Sequence, residues 1–182
     1  MSIPSLETPR LRMRGFLPED LLPLQRILSD REVIRYMTRT DPWPEDVVRG
    51  WMEAQQKQWS QHGFGWWALE HKSDGNLIGW CGLGTLDETA EVEVLYLLAK
   101  QYWGRGLATQ AAKFSVELGF GEYGLEEIIG LVHPDNVSSR RVLEKCGLKP
   151  VDAVHYFGME LLRFRACRRK SPAEGGASDP GM

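Results

Sequence analysis

The sequence predicts a single mixed α/β (α+β) domain, and three observations lead to this fold class. The chain has 182 residues, which is long enough for one well-packed domain and short for two. Segments with strand patterns first follow one another across short turns, which is typical of antiparallel hairpins. Strands and helices then alternate in the second half, which indicates a parallel crossover.

The first half of the chain is predicted to contain one strand, two helices and two paired strands. Apolar and polar residues alternate over residues 11–14, which predicts the first strand. Pro18 and Pro44, each followed by two acidic residues, predict the starts of two helices, the second of which ends near Gly63. Residues 66–70 and 77–86 predict two strands that a turn joins.

The second half is predicted to contain three strands and two helices. Residues 91–99 form a fourth strand, which is apolar on both faces near its end, and a long helix follows Gly106. Residues 128–132 then predict a short buried strand, and a helix spans about 138–146 with Gly147 as its left-handed cap. A last strand covers about 158–166, and no element is predicted between Gly147 and Gly158.

Composition restricts the functional classes. Hydrophobic residues make up 42% and charged residues 26%, with a formal net charge of −3 and a pI of about 5.8. These values are ordinary for a globular protein and give no reason to expect nucleic acid as a partner. The longest apolar stretch is too short to span a membrane, and the first residues lack the apolar core of a secretory signal. We therefore expect a cytoplasmic protein with no membrane association.

The cysteines and histidines predict neither a disulfide framework nor a metal site. Cys81, Cys146 and Cys167 lie far apart, and an odd, scattered set is typical of a reducing compartment. The four histidines show no spacing that would hold a metal ion. We therefore expect no metal, and we interpret each cysteine as a packing residue.

The end of the chain differs in composition from the rest. Residues 171–182 are small and polar, which predicts disorder, so we place the domain at 1–168 and a tail at 169–182. A basic cluster precedes the tail and comprises Arg163, Arg165, Arg168, Arg169 and Lys170. We interpret this cluster as a solvated strand end, with an RNA- or ribosome-docking patch as the alternative.

Residues 96–109 are the most informative segment. A buried strand ends there, a turn with two glycines follows, and a helix begins, which leaves successive backbone N–H groups unpaired at the positive end of a helix dipole. Gly104 and Gly106 let the backbone approach a phosphate without a Cβ. The Walker and dinucleotide motifs do not fit, because no Gly-Lys-Ser/Thr triplet is present and Thr109 stands where the third glycine belongs. The segment predicts a pyrophosphate site, with a plain helix cap as the alternative.

The same segment resembles a known family. Gln101-x-x-Gly104-x-Gly106-x-Ala108 is similar to the (Gln/Arg)-x-x-Gly-x-(Gly/Ala) signature of the GNAT acetyltransferase superfamily. Further segments resemble the RimJ/RimL-like branch of this superfamily, which is the ribosomal-protein N-acetyltransferase type. These segments are residues 7–14 with 17–20, residues 76–79 with 82–83, and residues 136–139 with 143–147. The resemblance covers about residues 6–166. It implies a mixed central sheet that is splayed at strands four and five, and direct transfer of an acetyl group from acetyl-CoA to a primary amine in a ternary complex.

The resemblance also implies where acetyl-CoA binds. The backbone of Leu97, Leu98 and Ala99 is expected to pair with the pantetheine arm, and an N–H near Leu98 to stabilise the oxyanion. Asn136 is expected to hydrogen-bond the pantetheine or the nearby backbone, with an Asx turn as the alternative. The backbone amides expected to hold the pyrophosphate are those of Gln101, Gly104, Arg105, Gly106, Leu107, Ala108 and Thr109, the last of which also offers its hydroxyl.

Two side chains are the catalytic candidates. Glu93 stands where the family carries a strand-four glutamate and is the expected base; alternation places Glu91 on the same face, so the pair is expected to share a raised apparent pKa. The alternative is that both face solvent at the start of a strand. Many members carry a tyrosine where this chain has Leu143, so Ser139 is the candidate that protonates the thiolate and a further contact to the cofactor. Its alternative is a hydroxyl at a helix start.

The acceptor and the competing functions stay open at this point. Trp51 and Trp59 have helical spacing and are interpreted as core residues, whereas Trp43 is the candidate contact to the acceptor. The acceptor is a protein N-terminal α-amine or a small-molecule amine. A non-catalytic acyl-CoA-binding module is the alternative function, because the usual tyrosine is missing, and a ribosome-associated interaction protein is the third. The sequence leaves open whether the chain forms a homodimer.

Overall fold

The computed structural model describes residues 3–86 and 89–169. Eight strands and four α-helices make up these residues, together with two 3₁₀ turns at Pro18–Asp20 and Lys100–Tyr102. The elements are, in chain order, β1 (Leu6–Glu7), β2 (Leu11–Arg14), α1 (Leu21–Ile27), α2 (Glu45–His62), β3 (Trp66–His71), β4 (Leu77–Thr85), β5 (Val92–Leu98), α3 (Leu107–Gly121), β6 (Glu127–Val132), α4 (Val137–Lys145), β7 (Lys149–Tyr156) and β8 (Met159–Cys167).

The strands form one mixed sheet in the order β1-β2-β3-β4-β5-β6-β8-β7. All neighbouring strands are antiparallel except β5 and β6, which are parallel. The register of β5 with β6 contains only the pair Glu93 and Ile129, so the two strands part directly after Glu93. Because the two-residue β1 was not predicted, β5 and β6 are the fourth and fifth strands of the sequence prediction. The predicted fold, with its sheet splayed between these strands and four helices around it, is confirmed.

The backbones of β4 and β5 lie unusually close where β5 ends. Gly79 has a φ of 145°, and a Cβ at this position would lie 1.9 Å from the carbonyl oxygen of Leu97. Only glycine leaves room for such an approach. The Leu97 carbonyl therefore points toward β4, away from the gap between β5 and β6.

The two helices beside the gap pack closely on the sheet. α3 contacts both β4 and β5, and a Cβ at Gly119 would lie 2.6 Å from a methyl group of Ile128 on β6. On α4, Leu143 is almost completely buried, and its methyl group would meet a Cβ at Gly130 at the same distance. Leu143, which stands where many family members have a tyrosine, is thus a packing residue between α4 and β6.

The strand β7 corrects the sequence prediction, which placed no element between Gly147 and Gly158. β7 pairs with β8 at the edge of the sheet, and nearly all of its side chains are exposed. Pro150 and a register shift between Pro150 and Asp152 interrupt the pattern further. An edge strand with no buried face shows no apolar alternation, so the sequence gives no strand signal there.

The predicted ends of two helices are confirmed. α2 ends at Gly63 and α4 is followed by Gly147, and both glycines adopt positive φ angles, of 75° and 89°. The predicted tail falls outside the described residues from Lys170 onward. No helix in the described ranges combines the length and the apolarity needed to cross a membrane.

Candidate active site

A cleft of about 1030 Å³ opens where β5 and β6 part. It extends from the loop before α3, past the end of β5 and the start of α4, to tryptophans of α2, β3 and β4. The predicted site residues that line it are Glu93, Leu97, Leu98, Gly104, Gly106, Leu107, Ala108, Thr109, Asn136 and Ser139. Ala99, Gln101 and Arg105 are not among the lining residues.

The loop before α3 presents a run of free backbone amides. Among the described residues, no acceptor pairs with the N–H groups of residues 104–109, whereas the next amide, that of Gln110, donates to Gly106. Gly104 and Gly106 have φ angles of 72° and 74°, and a Cβ at Gly104 would meet nothing within 4 Å. Consecutive free amides at the start of a helix form a concave anion site, so this loop fits a diphosphate group.

Arg10, directly before β2, fixes the orientation of this loop. Its Nη1 donates to the Arg105 carbonyl oxygen at 2.7 Å, and its Nε donates to the side chain of Gln110 at 2.8 Å. Because the N–H and C=O of one planar peptide point in opposite directions, the bond to Arg105 turns the Gly106 N–H away from Arg10. The sequence analysis did not identify this contact.

A second network supports the same loop from the β3–β4 turn. The Tyr102 hydroxyl donates to Asp74 at 2.9 Å and accepts from Asn76 at 3.3 Å, while His71 lies 3.0 Å from Asp74. The backbone N–H of Asn76 is the main cause that lowers the pKa of Asp74 to about 2. The guanidinium of Arg105 lies over the Tyr102 ring at 5.4 Å. The β3–β4 turn therefore holds the loop through Tyr102.

At the end of β5, the backbone alternates between β4 and the gap. The Ala99 N–H donates to the Ile78 carbonyl at 2.7 Å, and the Leu97 carbonyl also faces β4. Successive residues of a strand direct their backbone groups to opposite sides. Of the three residues expected to pair with the pantetheine arm, only Leu98 therefore presents its N–H and C=O to the gap. The Leu97 carbonyl and the Ala99 N–H face β4, and the Ala99 carbonyl accepts from the Tyr102 N–H at 2.9 Å.

Trp103 also contacts the edge of β5 that faces the gap, and the sequence did not predict this contact. Its indole N–H donates to the Leu98 carbonyl oxygen at 2.7 Å, although the side chain is 46% exposed. The Leu98 N–H is left as the donor that faces the gap.

Glu93 is the buried acid of the cleft. It is 4% exposed, and its Oε1 accepts a hydrogen bond from the Leu131 N–H at 3.0 Å, across the point where β5 and β6 part. Burial raises the pKa of Glu93 to about 8, with a smaller contribution in the same direction from the charge of Glu91. The alternative of a solvent-facing Glu93 is therefore wrong.

Glu91 does not line the cleft beside Glu93, as the predicted carboxylate pair would require. Its carboxylate lies 3.1 Å from Nη1 of Arg163 on β8, and it is not among the residues that line the cleft. The raised pKa of Glu93 is chiefly an effect of burial rather than of a carboxylate pair.

Ser139 and Asn136 meet at the start of α4. Asn136 caps this helix, because its Oδ1 accepts from the Ser139 N–H at 3.1 Å, as in the Asx-turn alternative. The Ser139 Oγ lies 2.8 Å from the hydroxyl of Tyr96, which also donates to the Ser139 carbonyl. Burial raises the pKa of the Tyr96 hydroxyl, so it stays protonated. Two linked hydroxyls thus line the cleft between β5 and α4.

Tyr96 and two basic residues are candidates that the sequence analysis missed. Tyr96 was taken as part of an apolar strand, and only the tertiary contact with Ser139 distinguishes it. Arg141 and Lys145 of α4 also line the cleft. Their i, i+4 spacing places both charges on one side of the helix, and this spacing was a signal available in the sequence.

The far end of the cleft is aromatic. Trp43, Trp51, Trp66 and Trp80 all line it, whereas Trp59 is 5% exposed and donates from its indole to the Trp66 carbonyl. The interpretation of Trp59 as a core residue agrees with this position, and Trp43 lies in the cleft where an acceptor contact was expected. Trp51 packs partly against the core and also faces the cleft.

In the described ranges, no group of three or more His, Cys, Asp or Glu side chains is placed to hold a metal ion.

Comparisons with known proteins agree with this geometry. A family model described as "Acetyltransferase (GNAT) domain" matches residues 10–149. The chain is 30% identical over 146 residues to the uncharacterized protein YkkB of Bacillus subtilis (strain 168), over 79% of this chain and 84% of that protein. It is 29% identical over 160 residues to the FsC-acetyl coenzyme A-N(2)-transacetylase of Aspergillus fumigatus, over 82% of this chain and 66% of that protein.

Solved structures share the fold. The crystal structure of an acetyltransferase from Agrobacterium tumefaciens str. C58 is similar with a TM-score of 0.81 and 24% sequence identity, and the match covers 92% of this chain and 96% of that one. At this identity the similarity supports the fold alone.

Proposed function

Since the chain belongs to the GNAT acetyltransferase family, we propose that it transfers the acetyl group of acetyl-CoA to a primary amine by direct attack in a ternary complex. One observation carries this proposal: Gly104 and residues 106–109, whose backbone amides are free among the described residues, line the same cleft as the buried carboxyl group of Glu93. The amides fit the diphosphate of coenzyme A, and Glu93 lies at the opening between the strands where the thioester would end.

The residues of the cleft can take the roles that the reaction requires. Glu93, with its pKa near 8, accepts a proton from the attacking amine, directly or through water. The Leu98 N–H stabilises the negative charge that develops on the carbonyl oxygen. The carbon–sulfur bond breaks as the carbon–nitrogen bond forms, and the Ser139 hydroxyl, linked to Tyr96, supplies a proton to the thiolate. Arg141 and Lys145 offer positive charge to the phosphates of the nucleotide.

The proposed branch of the family rests on the sequence motifs. The segments at residues 7–14, 76–79 and 136–147 support a place in the RimJ/RimL-like branch, whose type acts on N-terminal amines of ribosomal proteins. A peptide α-amine titrates near about 7.7–8.0, so it loses its proton to a base more easily than a lysine side chain, which titrates near about 10.4. The scattered cysteines support a cytoplasmic location.

Amine-dependent release of the coenzyme A thiol tests the proposal. The purified protein is mixed with acetyl-CoA and a panel of primary amines, and the free thiol is followed with a thiol reagent. We expect thiol release that depends on the amine and equals the acetylated product. Tight binding of coenzyme A with no thiol release for any amine contradicts the proposal and leaves a non-catalytic acyl-CoA-binding module.

A further inference from the structure

We propose that the acceptor is a small primary amine joined to an aromatic ring, an arylalkylamine, which binds in a tryptophan pocket. The tryptophan pocket is formed by Trp43, Trp51, Trp66 and Trp80, at the end of the cleft away from the loop 104–109. This inference rests on the proposed function and names the substrate class of the same site.

The four indole rings form a continuous aromatic wall. The rings of Trp66 and Trp80 stack with centroids 5.1 Å apart at 22°, and those of Trp51 and Trp66 stack at 5.7 Å and 19°. Trp43 meets Trp51 edge-on at 6.4 Å. Planar rings gain both stacking and edge contacts with such a wall, beyond the burial of apolar area that an aliphatic chain also gains. The wall therefore favours an aromatic substrate body.

The aromatic wall has a cost in stability. The indole N–H groups of Trp43, Trp66 and Trp80 are buried and have no hydrogen-bond partner among the described residues. An unpaired buried donor costs stability, which aliphatic side chains of similar volume would not. Such a cost is typical of a functional surface rather than of packing alone. The side of the wall that is not packed against the core faces the cleft.

Charge argues against a polyamine or another polycation. Among the described residues, the acids that line the cleft are Glu93 and Glu32, and the Glu32 carboxylate already pairs with Lys100 at 2.7 Å. Glu93 has a pKa near 8 and is largely neutral at pH 7. Arg35 adds a positive charge to the lining. With so little negative charge on the described lining residues, the cleft suits one reacting amine on an otherwise uncharged body.

The rim of the cleft adds another aromatic contact. Phe157, at the turn between β7 and β8, is 55% exposed and has a φ of 55°, a conformation that bulky residues rarely adopt. Phe157 also lines the cleft. On the other side, Tyr36 stacks on His133 at 5.0 Å and joins the loop after α1 to the end of β6. Both rings line the cleft and add to its aromatic lining.

Competition among amines of similar length tests the substrate class. Thiol release is measured for 2-phenylethylamine, tryptamine, n-hexylamine, spermidine and a short peptide with a free N-terminus. We expect kcat/KM for the two aromatic amines to exceed that for each of the others by about tenfold or more. If n-hexylamine, spermidine or the peptide matches or exceeds the aromatic amines, the inference is overturned while the proposed function stands. If no amine releases thiol, both fail.

A matched pair of variants tests the pocket itself. Trp43→Leu removes the edge contact, and Trp43→Phe keeps an aromatic ring at the same place. We expect Trp43→Leu to raise KM for 2-phenylethylamine about tenfold, with kcat and the affinity for coenzyme A little changed, and Trp43→Phe to restore most of the loss. Thermal melting shows whether each variant is folded. Equal KM values for the wild type and a folded Trp43→Leu variant would overturn the role of the pocket.

Discussion

Glu93 combines a structural contact with the proposed chemistry. Its Oε1 accepts the Leu131 N–H that would otherwise lack a strand partner where β5 and β6 part, and its buried position raises the pKa to about 8. A carboxyl group whose pKa lies near the working pH is suited to accept a proton and to release it again. The same residue therefore pairs with the Leu131 N–H at the edge of the gap and is the proposed base.

Replacing Glu93 tests its role as the base. Glu93→Gln keeps an oxygen that can accept the Leu131 N–H but removes the proton acceptor, so we expect kcat to fall about 10²- to 10⁴-fold with little change in the affinity for coenzyme A. In the wild type, kcat should rise with pH to a plateau above about pH 8, where the carboxylate is formed. Steady-state kinetics from pH 6 to pH 9.5 measures both effects.

Glu91→Gln is the matched control for this substitution. Glu91 pairs with Arg163 outside the cleft, so we expect kcat within about twofold of the wild type and a slightly lower apparent pKa. A fall in activity as large as that of Glu93→Gln would assign the chemistry to both carboxylates.

The linked hydroxyls of Ser139 and Tyr96 give a second prediction at this scale. If they deliver the proton to the thiolate as one unit, Ser139→Ala and Tyr96→Phe should each lower kcat by about tenfold or more, and the double variant should be no slower than the worse single variant. Single-turnover kinetics of the three variants measures this coupling. Losses that simply multiply would show that the hydroxyls act separately.

The sequence located some of these residues better than others. Glu93 and Ser139 could be proposed as catalytic residues because each stands at a fixed position of a motif. Tyr96 was missed because it follows Leu95 in an apolar strand, and its partner Ser139 lies 43 residues further along the chain. A hydroxyl pair that only the tertiary fold assembles leaves no local pattern.

At the scale of elements, the loop before α3 depends on a strand far away in sequence. Arg10 lies 95 residues before Arg105, and its hydrogen bond to the Arg105 carbonyl orients the peptide whose N–H faces the proposed diphosphate. The loop motif and the helix start could be predicted locally, whereas this support could not. The exposed edge strand β7 escaped prediction for a related reason, because its pairing with β8 rather than its own residues makes it a strand.

Arg10→Met tests this support. Without the guanidinium, the Arg105 carbonyl is free to rotate, and we expect the dissociation constant of coenzyme A to rise about tenfold, with a small change in thermal stability because Arg10 is exposed. Titration calorimetry measures the affinity. Arg12→Met is the control. Arg12 makes ion pairs with Glu7 and Glu70 and, among the described residues, forms no hydrogen bond with the loop. Equal effects of the two variants would contradict a positioning role for Arg10.

At the scale of the whole molecule, the gap in the sheet places a normally ionised acid in the interior. The folded chain holds the proton of Glu93 up to a pKa of about 8, whereas an unfolded glutamate titrates near 4.5. Between these values the folded state binds more protons, so stability falls as pH rises. The penalty is absent below about pH 4.5 and complete above about pH 8.

Urea unfolding at several pH values measures this linkage. We expect the free energy of unfolding of the wild type to lose up to about 1.4 kcal/mol per pH unit to Glu93 between pH 5 and pH 8. Glu93→Gln lacks this titration, so the variant should gain stability relative to the wild type as pH rises. A constant difference between the two proteins across this range would show that Glu93 is not buried with a raised pKa.

The mixed sheet and its splay could be predicted from the family resemblance, because the motifs fall on both sides of the gap, whereas the strand order was not predicted. The aromatic end of the cleft could not, since Trp43, Trp51, Trp66 and Trp80 come from a loop, a helix and two strands that meet only in the folded chain. Motifs that bind a common cofactor have a fixed sequence, whereas the residues that select an acceptor do not.

Amide hydrogen exchange of residues 104–109 tests the central claim most directly. The exchange rates are compared in the free protein, with saturating coenzyme A, and with saturating acetyl-pantetheine, which lacks the diphosphate. We predict that coenzyme A slows exchange of these amides by about tenfold or more and that acetyl-pantetheine leaves it nearly unchanged. Unchanged exchange in the protein saturated with coenzyme A would contradict the account, because the diphosphate would then bind elsewhere.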